Sequence, residues 1–328
     1  MTPIRLIAGI ERWPLVAPFR ITGHLFEHLE VLVVRLEHNG AVGCGEAAGV
    51  YYRGDSPSRM LEQIEQVRPR IEAGITRELA QTLLPAGGAR NALDCALWDL
   101  EAKVSHCPAW KTARLEAPQR LKTTFTCGAN TPEKMAATAR QYTQAQAIKL
   151  KLTGEPSDAD RVRAVREAAP DVWLAVDANQ GFTRASLERL MTTLLDTRVA
   201  LIEQPFPLTQ DAWLDGFHSP IAIAADESLQ TLAELPGLIG RFNVVNIKLD
   251  KCGGLTEGFA IALAARELGL ETMVGNMLGT SLAMAPAYLL GQLCKVVDLD
   301  GPIFLTSDRD APVTYSDGLI HCPDELWG

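Results

Sequence analysis

The sequence has no CxxC pair, no cluster of lysines and arginines, no long uninterrupted apolar segment and no GxGxxG turn. Each absence removes a class of function. The seven cysteines, Cys44, Cys95, Cys107, Cys127, Cys252, Cys294 and Cys322, are odd in number and scattered. That suits reduced thiols in the cytoplasm, not a disulfide framework or a zinc site. With 31 Lys and Arg against 40 Asp and Glu, the net charge of −9 provides no basic field for nucleic acid. The most apolar stretch, Leu282 to Leu290, is short and contains Pro286, and the N-terminus meets Glu11 and Arg12 before any signal-peptide core builds up. No membrane partner is expected, and the cytoplasm is the expected location. What remains is a 328-residue chain, 47% hydrophobic, able to bury one large core or a barrel plus a smaller domain, with small solutes as its expected partners.

From Ile4 to about Glu46 the residues alternate as antiparallel strands do, with Val31-Leu-Val-Val-Arg-Leu before a His38-Asn-Gly40 turn signal. Helical spacing follows from Ser58 to roughly Leu115. This strand-then-helix order predicts an α+β domain over residues 1–118. The rhythm then changes to short apolar runs separated by helical patterns: Thr123-Thr-Phe-Thr, Ala147-Ile-Lys-Leu-Lys, Val172-Trp-Leu-Ala-Val, Val199-Ala-Leu-Ile, Ile221-Ala-Ile-Ala-Ala, Val244-Val-Asn-Ile-Lys, Thr272-Met-Val-Gly and Val296-Val-Asp-Leu. Eight such runs, most recurring every roughly 22 to 28 residues, predict an α/β fold, a parallel (β/α)8 TIM barrel over 119–305. A doubly wound sheet is the competing architecture; the count of eight and the missing GxGxxG favour the barrel. The tail, about 306–328, is expected to return to the first domain.

In such a barrel the active site lies where the strands end, so polar residues at the C-terminal ends of apolar runs are informative. Three consecutive runs end in a carboxylate: Asp177 in Leu174-Ala-Val-Asp, Glu203 in Leu201-Ile-Glu, and Asp226 in Ile223-Ala-Ala-Asp. Singly, each reads as a helix cap or turn residue. Together, at equivalent depth on adjacent strands, they would repel one another unless a cation neutralised them. An all-oxygen set suits magnesium, with manganese as the alternative, better than zinc. Asp177, Glu203 and Asp226 are therefore the expected metal ligands.

Lys149 and Lys151 lie two apart, so on a strand they share a face, while Lys248 ends the sixth run, opposite the second on a closed eight-strand barrel. Lone lysines would be read as snorkelling surface residues; the apolar runs around these argue against that. A lysine base needs its pKa lowered, which a neighbouring ammonium and a divalent cation would favour. The chemistry that uses these parts is abstraction of a proton next to a carboxylate, with return from the other face by the second lysine: racemisation or epimerisation.

Lys149-x-Lys151, Asp177-Ala-Asn179, Glu203-Gln-Pro, Asp226-Glu-Ser and Lys248-x-Asp250 together resemble the enolase superfamily, and within it the muconate-lactonising subgroup. Lysine bases with magnesium-stabilised enediolates are characteristic of that superfamily. The resemblance implies a modified barrel with an α+β capping domain, Lys151 and Lys248 as the catalytic pair, Lys149 on the substrate carboxylate, and Asn179 and Asp250 as supporting residues. Asp298-Leu-Asp300 at the last strand end is similar to the Asp-x-Asp motif with which dipeptide epimerases hold a substrate ammonium; its structural alternative is a strand-end salt bridge. The implied activity is epimerisation of L-Ala-D/L-Glu or a related dipeptide, with an o-succinylbenzoate synthase-type lyase, an N-acylamino acid racemase and a non-catalytic binding descendant as alternatives. Thr124 and His24 are further candidate substrate contacts.

Glutamate-specific members usually carry an arginine in the loop near residue 24, whereas this loop reads Phe19-Arg-Ile-Thr-Gly-His-Leu-Phe-Glu-His28. Arg20, His24 or Arg53 are candidates to replace it; Leu25 and Phe26 would suit an apolar side chain and Glu27 a cationic one. Members often form symmetric homo-oligomers, a property of the family and not a reading of these residues. Gly253-Gly254 before the helix near Leu255 is read as a tight turn in preference to a phosphate cradle.

Overall fold

The computed structural model of the protein describes residues 3–21 and 24–328, with the backbone alone at 19–21 and 24. Three antiparallel strands, β1 (Arg5–Ile21), β2 (His24–His38) and β3 (Ala41–Ala47), open the chain. The turn between β2 and β3 puts Asn39 and Gly40 at φ of 49° and 80°, the left-handed pair that a two-residue hairpin of this type requires. Leu32, Val34 and Leu36 face the core of this domain, while Leu29, Val31 and Val33 join the core shared with the barrel. Burial on both faces explains why the run at 31–34 is continuously apolar.

Helices α1 (Pro57–Glu72), α2 (Arg77–Leu83) and α3 (Gly88–Ser105) follow. Ser56 caps α1 by accepting the Arg59 N–H, with Pro57 preset for the first turn. Helix α3 is buried on nearly every side because it lies between the small sheet and the barrel. Gly43 and Gly45 on β3 admit it: a Cβ at Gly45 would stand 2.1 Å from the Ala92 carbonyl.

The barrel strands run β5 (Thr124–Cys127), β6 (Ala147–Lys151), β7 (Trp173–Asp177), β8 (Val199–Glu203), β9 (Ala222–Ala225), β10 (Val244–Ile247), β11 (Glu271–Val274) and β12 (Val296–Val297), all parallel and in sequence order. All eight predicted runs are therefore strands. The barrel is a modified one: a 3-10 segment, Leu208–Leu214, follows β8, and a 3-10 turn, Leu232–Glu234, running into a one-turn helix, Leu235–Leu238, stands between β9 and β10 in place of a long helix. The seam between the first and last strands carries side-chain bonds. Leu299 N–H donates to Thr123 Oγ1 at 2.9 Å and Thr126 N–H to Asp300 Oδ2 at 2.7 Å.

The apolar stretch around Pro286 is a buried helix, Ser281–Gly291. Among the described residues no helix is long and apolar enough to cross a membrane. Before the barrel, β4 (Leu121–Lys122) pairs with β14 (Leu319–His321), which pairs with β13 (Thr314–Ser316). Beyond them Trp327 Nε1 donates to the carbonyls of Cys44 and Cys95, and the Gly328 N–H to Asp99.

Candidate active site

The two-residue period of the strands stacks the barrel interior in layers. Ala175, Leu201, Ala224, Val244 and Met273 form a small apolar layer. Two residues further along the same inner face come Asp177, Glu203, Asp226, Asn246 and Gly275. The residues between them, such as Val176, Ile202, Ala225, Val245 and Val274, face outward into the main core.

From β6 to β10 the consecutive strand ends carry Lys151, Asp177, Glu203, Asp226 and Lys248, all buried. Lys151 Nζ donates to Asp177 Oδ2 at 2.5 Å, and Lys248 Nζ to Asp226 Oδ2 at 2.7 Å. Lys149 Nζ lies 3.3 Å from Glu203 Oε2 and 3.9 Å from Asp177 Oδ2. The other oxygen of each acid is tied elsewhere. Asp177 Oδ1 accepts the Asn179 N–H at 2.8 Å, Glu203 Oε1 accepts Asn246 Nδ2 at 2.7 Å, and Asp226 Oδ1 accepts Lys251 Nζ at 2.6 Å. Each carboxylate thus keeps one oxygen anchored and turns the other toward a lysine.

Burial, followed by repulsion from Asp177, pushes the Glu203 carboxyl up to about 7. Burial pushes Asp226 the same way, but Lys248 and Lys251 outweigh it and hold its carboxyl well below the usual range. For Lys248 burial lowers the ammonium pKa, yet Asp226 and Glu203 reverse this and raise it. Lys149 is likewise raised by Asp298, Glu203 and Asp177 against burial. The downward shift expected of a base therefore does not hold for Lys248 in this arrangement, because the acids outweigh desolvation. A cation that took over the carboxylate oxygens would remove the cause.

Across the seam, Asp298 accepts from both Lys149 Nζ and Thr124 Oγ1. Lys149 holds its carboxyl below the usual range in spite of burial, while burial and the charge of Asp298 push Asp300 up to about 6. Thr124, expected to touch substrate, is turned to Asp298; the threonine that lines the cleft is Thr126. The Asp298–Lys149 pair is the salt bridge that was the structural alternative for this motif, and it coexists with an opening of both aspartates onto the cleft.

That cleft, about 610 Å³, lies between the barrel mouth and the first domain, and Lys149, Lys151, Lys248, Asn179, Asp298 and Asp300 line it. Its roof carries the edge-to-face series Phe26, Tyr51 and Tyr52, with ring centroids 5.7 and 5.2 Å apart. Arg53 is directed at Gln230 Oε1, 3.0 Å away, and Leu25 and Glu27 are exposed. The side chains of Arg20 and His24 lie outside the described residues. Asp250 sits beneath the roof and accepts the Gly49 N–H.

Gly253 and Gly254 form a turn and no cradle. A Cβ at Gly253 would meet Arg90 Nε at 2.4 Å, and one at Gly254 would meet Asp94 Oδ2 at 2.5 Å, so α3 occupies the space a phosphate would need. Sequence reasoning missed Asn246, Lys251 and Gln204. The last adopts φ of 32° and accepts the Asp226 and Ser228 N–H groups through Oε1, fixing the end of β9. The one available signal was the polar Asn246 inside an apolar run.

Among the described residues no group of three His, Cys, Asp or Glu side chains is gathered into a metal-ligating cluster, since each acid faces a lysine. The donors still fit a hard divalent cation. Three buried carboxylates on adjacent strands turn one oxygen each inward, and Glu203 Oε2 has no hydrogen-bond partner although it lies near Lys149.

Two family models cover most of the chain: the mandelate racemase / muconate lactonizing enzyme N-terminal domain matches residues 4–112, and the enolase C-terminal domain-like family matches 134–326. The chain belongs to the enolase superfamily. Among superfamily relatives, the L-Ala-D/L-Glu epimerase of Escherichia coli (strain K12) is 41% identical, covering 95% of this chain and 97% of its own. An N-acetyl-D-glutamate racemase from Pseudoalteromonas sp is 43% identical over 76% of this chain and 79% of its own. A superfamily structure from Agrobacterium tumefaciens, with homology to dipeptide epimerases and with bound sodium and L-Ala-L-Glu, superposes with a TM-score of 0.96 at 39% identity, covering 99% of this chain and 100% of that one. The dipeptide epimerase from Methylococcus capsulatus, complexed with Mg and L-Arg-D-Lys, superposes with a TM-score of 0.90 at 29% identity, covering 98% of each chain.

Proposed function

We propose that the chain epimerises a dipeptide at the α-carbon next to its C-terminal carboxylate, L-Ala-D/L-Glu or a related L-Xaa-L/D-Xaa dipeptide being the substrate. The observation that carries this is the order of strand ends, lysine, three acids, lysine, with Lys151 and Lys248 four strands apart on an eight-strand barrel and therefore on opposite walls.

Asp177, Glu203 and Asp226 would hold magnesium, or manganese, which when bound supplies positive charge to the substrate carboxylate as the α-proton leaves. Lys149 supplies a second positive charge to that carboxylate. Lys151 in its neutral form takes the proton from one face, and the Lys248 ammonium delivers one to the other; in the reverse direction the roles exchange. Asp298 and Asp300 hold the ammonium of the first residue, with Asp298 released from Lys149 as that lysine turns to substrate. Burial of the cleft under Tyr51 and Tyr52 keeps water from quenching the carbanion.

The glutamate reading is supported by the names of the E. coli and Pseudoalteromonas relatives. The aromatic roof of Phe26, Tyr51 and Tyr52 supports a second reading, an apolar side chain at the same position. An o-succinylbenzoate synthase-type lyase or an N-acylamino acid racemase would give Asp298 and Asp300 no ammonium to bind. As divisions of the chain we take 1–118 as the capping domain, 119–305 as the barrel and 306–328 as the segment that returns to the cap. The free thiols fit a cytoplasmic enzyme, and a homo-oligomer fits the habit of the family.

The test is incubation with magnesium and either L-Ala-L-Glu or L-Ala-L-Phe in deuterated water. A mass gain of one unit with appearance of the second epimer is expected for the glutamyl peptide. Exchange into the phenylalanyl peptide alone would assign the apolar reading, and exchange into no member of an L,L-dipeptide library would overturn the epimerase.

A further inference from the structure

Asn246 and Lys251 have no role in the proton transfer, yet they are among the most buried polar residues of the barrel, 0% and 1% exposed. Asn246 lies on the inner face of β10, and its Nδ2 donates to Glu203 Oε1. The barrel makes room for it at Gly275, where a Cβ would stand 2.6 Å from Asn246 Oδ1. Lys251, three residues after Lys248 on the one-turn helix Leu249–Cys252, donates to Asp226 Oδ1, to the Asp226 carbonyl and, at 3.1 Å, to the Asn246 carbonyl. All three donors of its ammonium are thereby engaged with β10 and the end of β9, so unlike Lys248 it has no donor left for a substrate.

We infer that Asn246 and Lys251 are positioning residues that hold one oxygen each of Glu203 and Asp226, restricting both acids to one-oxygen coordination and so selecting a small divalent cation over a large one. The inference rests on the metal reading above. Its physical basis is a difference between cations: calcium takes six to eight oxygens, often with carboxylates bound through both, whereas magnesium demands six short, nearly octahedral bonds. A carboxylate whose second oxygen is tied to the scaffold offers the larger cation nothing extra. Asp177 is restricted in the same way by the Asn179 N–H, a backbone tether that no side-chain change removes.

The experiment is calorimetric titration of the full chain with magnesium chloride and with calcium chloride, without substrate, on the wild type, Asn246→Ala and Lys251→Met, with thermal unfolding followed in parallel. The wild type is expected to favour magnesium, and the ratio of magnesium to calcium affinity should fall about tenfold in each variant, the scale on which outer-shell partners affect metal sites. Asn246→Ala changes no charge; Lys251→Met raises the attraction for both cations, which cancels in the ratio. If one variant does not fold, the other decides. A ratio unchanged in a folded variant overturns the inference and leaves the metal site standing. Absence of binding of either ion to the wild type overturns the metal reading itself, and the inference with it.

Discussion

The Gly49 N–H donates to the Asp250 carboxylate over 2.7 Å, joining the loop that carries Tyr51 and Tyr52 to the segment that begins at Lys248. Burial, with the charges of Asp55 and Glu46 adding to it, pushes Asp250 from its ordinary 3.8 up to about 7, against the backbone N–H groups of Gly49 and Ala48. An acid whose folded pKa lies above its unfolded one contributes stability at low pH that is lost as pH rises through the folded value. Between roughly pH 4 and 7 the folded wild type thus loses up to about 1.4 kcal/mol per pH unit through this group. Asp250→Asn keeps the acceptor and does not titrate. Urea unfolding at pH 5 and pH 8 should show the variant gaining on the wild type at the higher pH; a constant difference would refute the assignment.

Replacing either base should leave a one-sided enzyme. Lys151→Ala and Lys248→Ala are each expected to lose epimerisation by about 10²- to 10⁴-fold, the usual contribution of a positioned acid or base. Each should still exchange the α-proton of one epimer with solvent, and the two variants should favour opposite epimers. Proton NMR in deuterated water reads this directly, and a fully active Lys151→Ala protein would end the two-base mechanism.

Asp300 accepts the Thr126 N–H through Oδ2 and lines the cleft. In Asp300→Asn one charge-assisted bond to the substrate ammonium is lost, so KM for a free dipeptide should rise about tenfold or more. The same change should leave kcat far less affected. Equal loss with an N-acetylated dipeptide would show that Asp300 does not meet the ammonium.

Gly254→Ala is expected to destabilise the fold by at least about 1 kcal/mol, since its φ of 122° is strained for alanine and the new methyl would press on Asp94. Asp94 accepts both the N–H and the hydroxyl of Thr256 at the start of the helix Leu255–Glu267, so the strain would reach the joint between the two domains. Chemical unfolding measures it, and an unchanged midpoint would mean that α3 can retreat.

Periodicity alone made much of this protein legible. Eight short apolar runs specify eight strands, and the two-residue period of a strand puts Asp177, Glu203 and Asp226 on the inner face at the ends of adjacent strands, because a carboxylate two residues past an inward alanine or leucine must also point inward. Lys151 and Lys248 follow from the same counting. What counting could not reach were contacts between residues far apart in the chain. Lys251 carries no local signal until the fold buries it against the Asp226 carboxylate and the Asn246 carbonyl, and Thr124 reads as a substrate contact until the barrel seam brings Asp298 to its hydroxyl. The raised pKa of Lys248 was equally hidden, since its sign depends on whether burial or the facing acids prevail. Local pattern determined which residues enter the barrel mouth. Only the closed barrel, by fixing distances within a buried and weakly screening interior, decided which oxygen each of them would face.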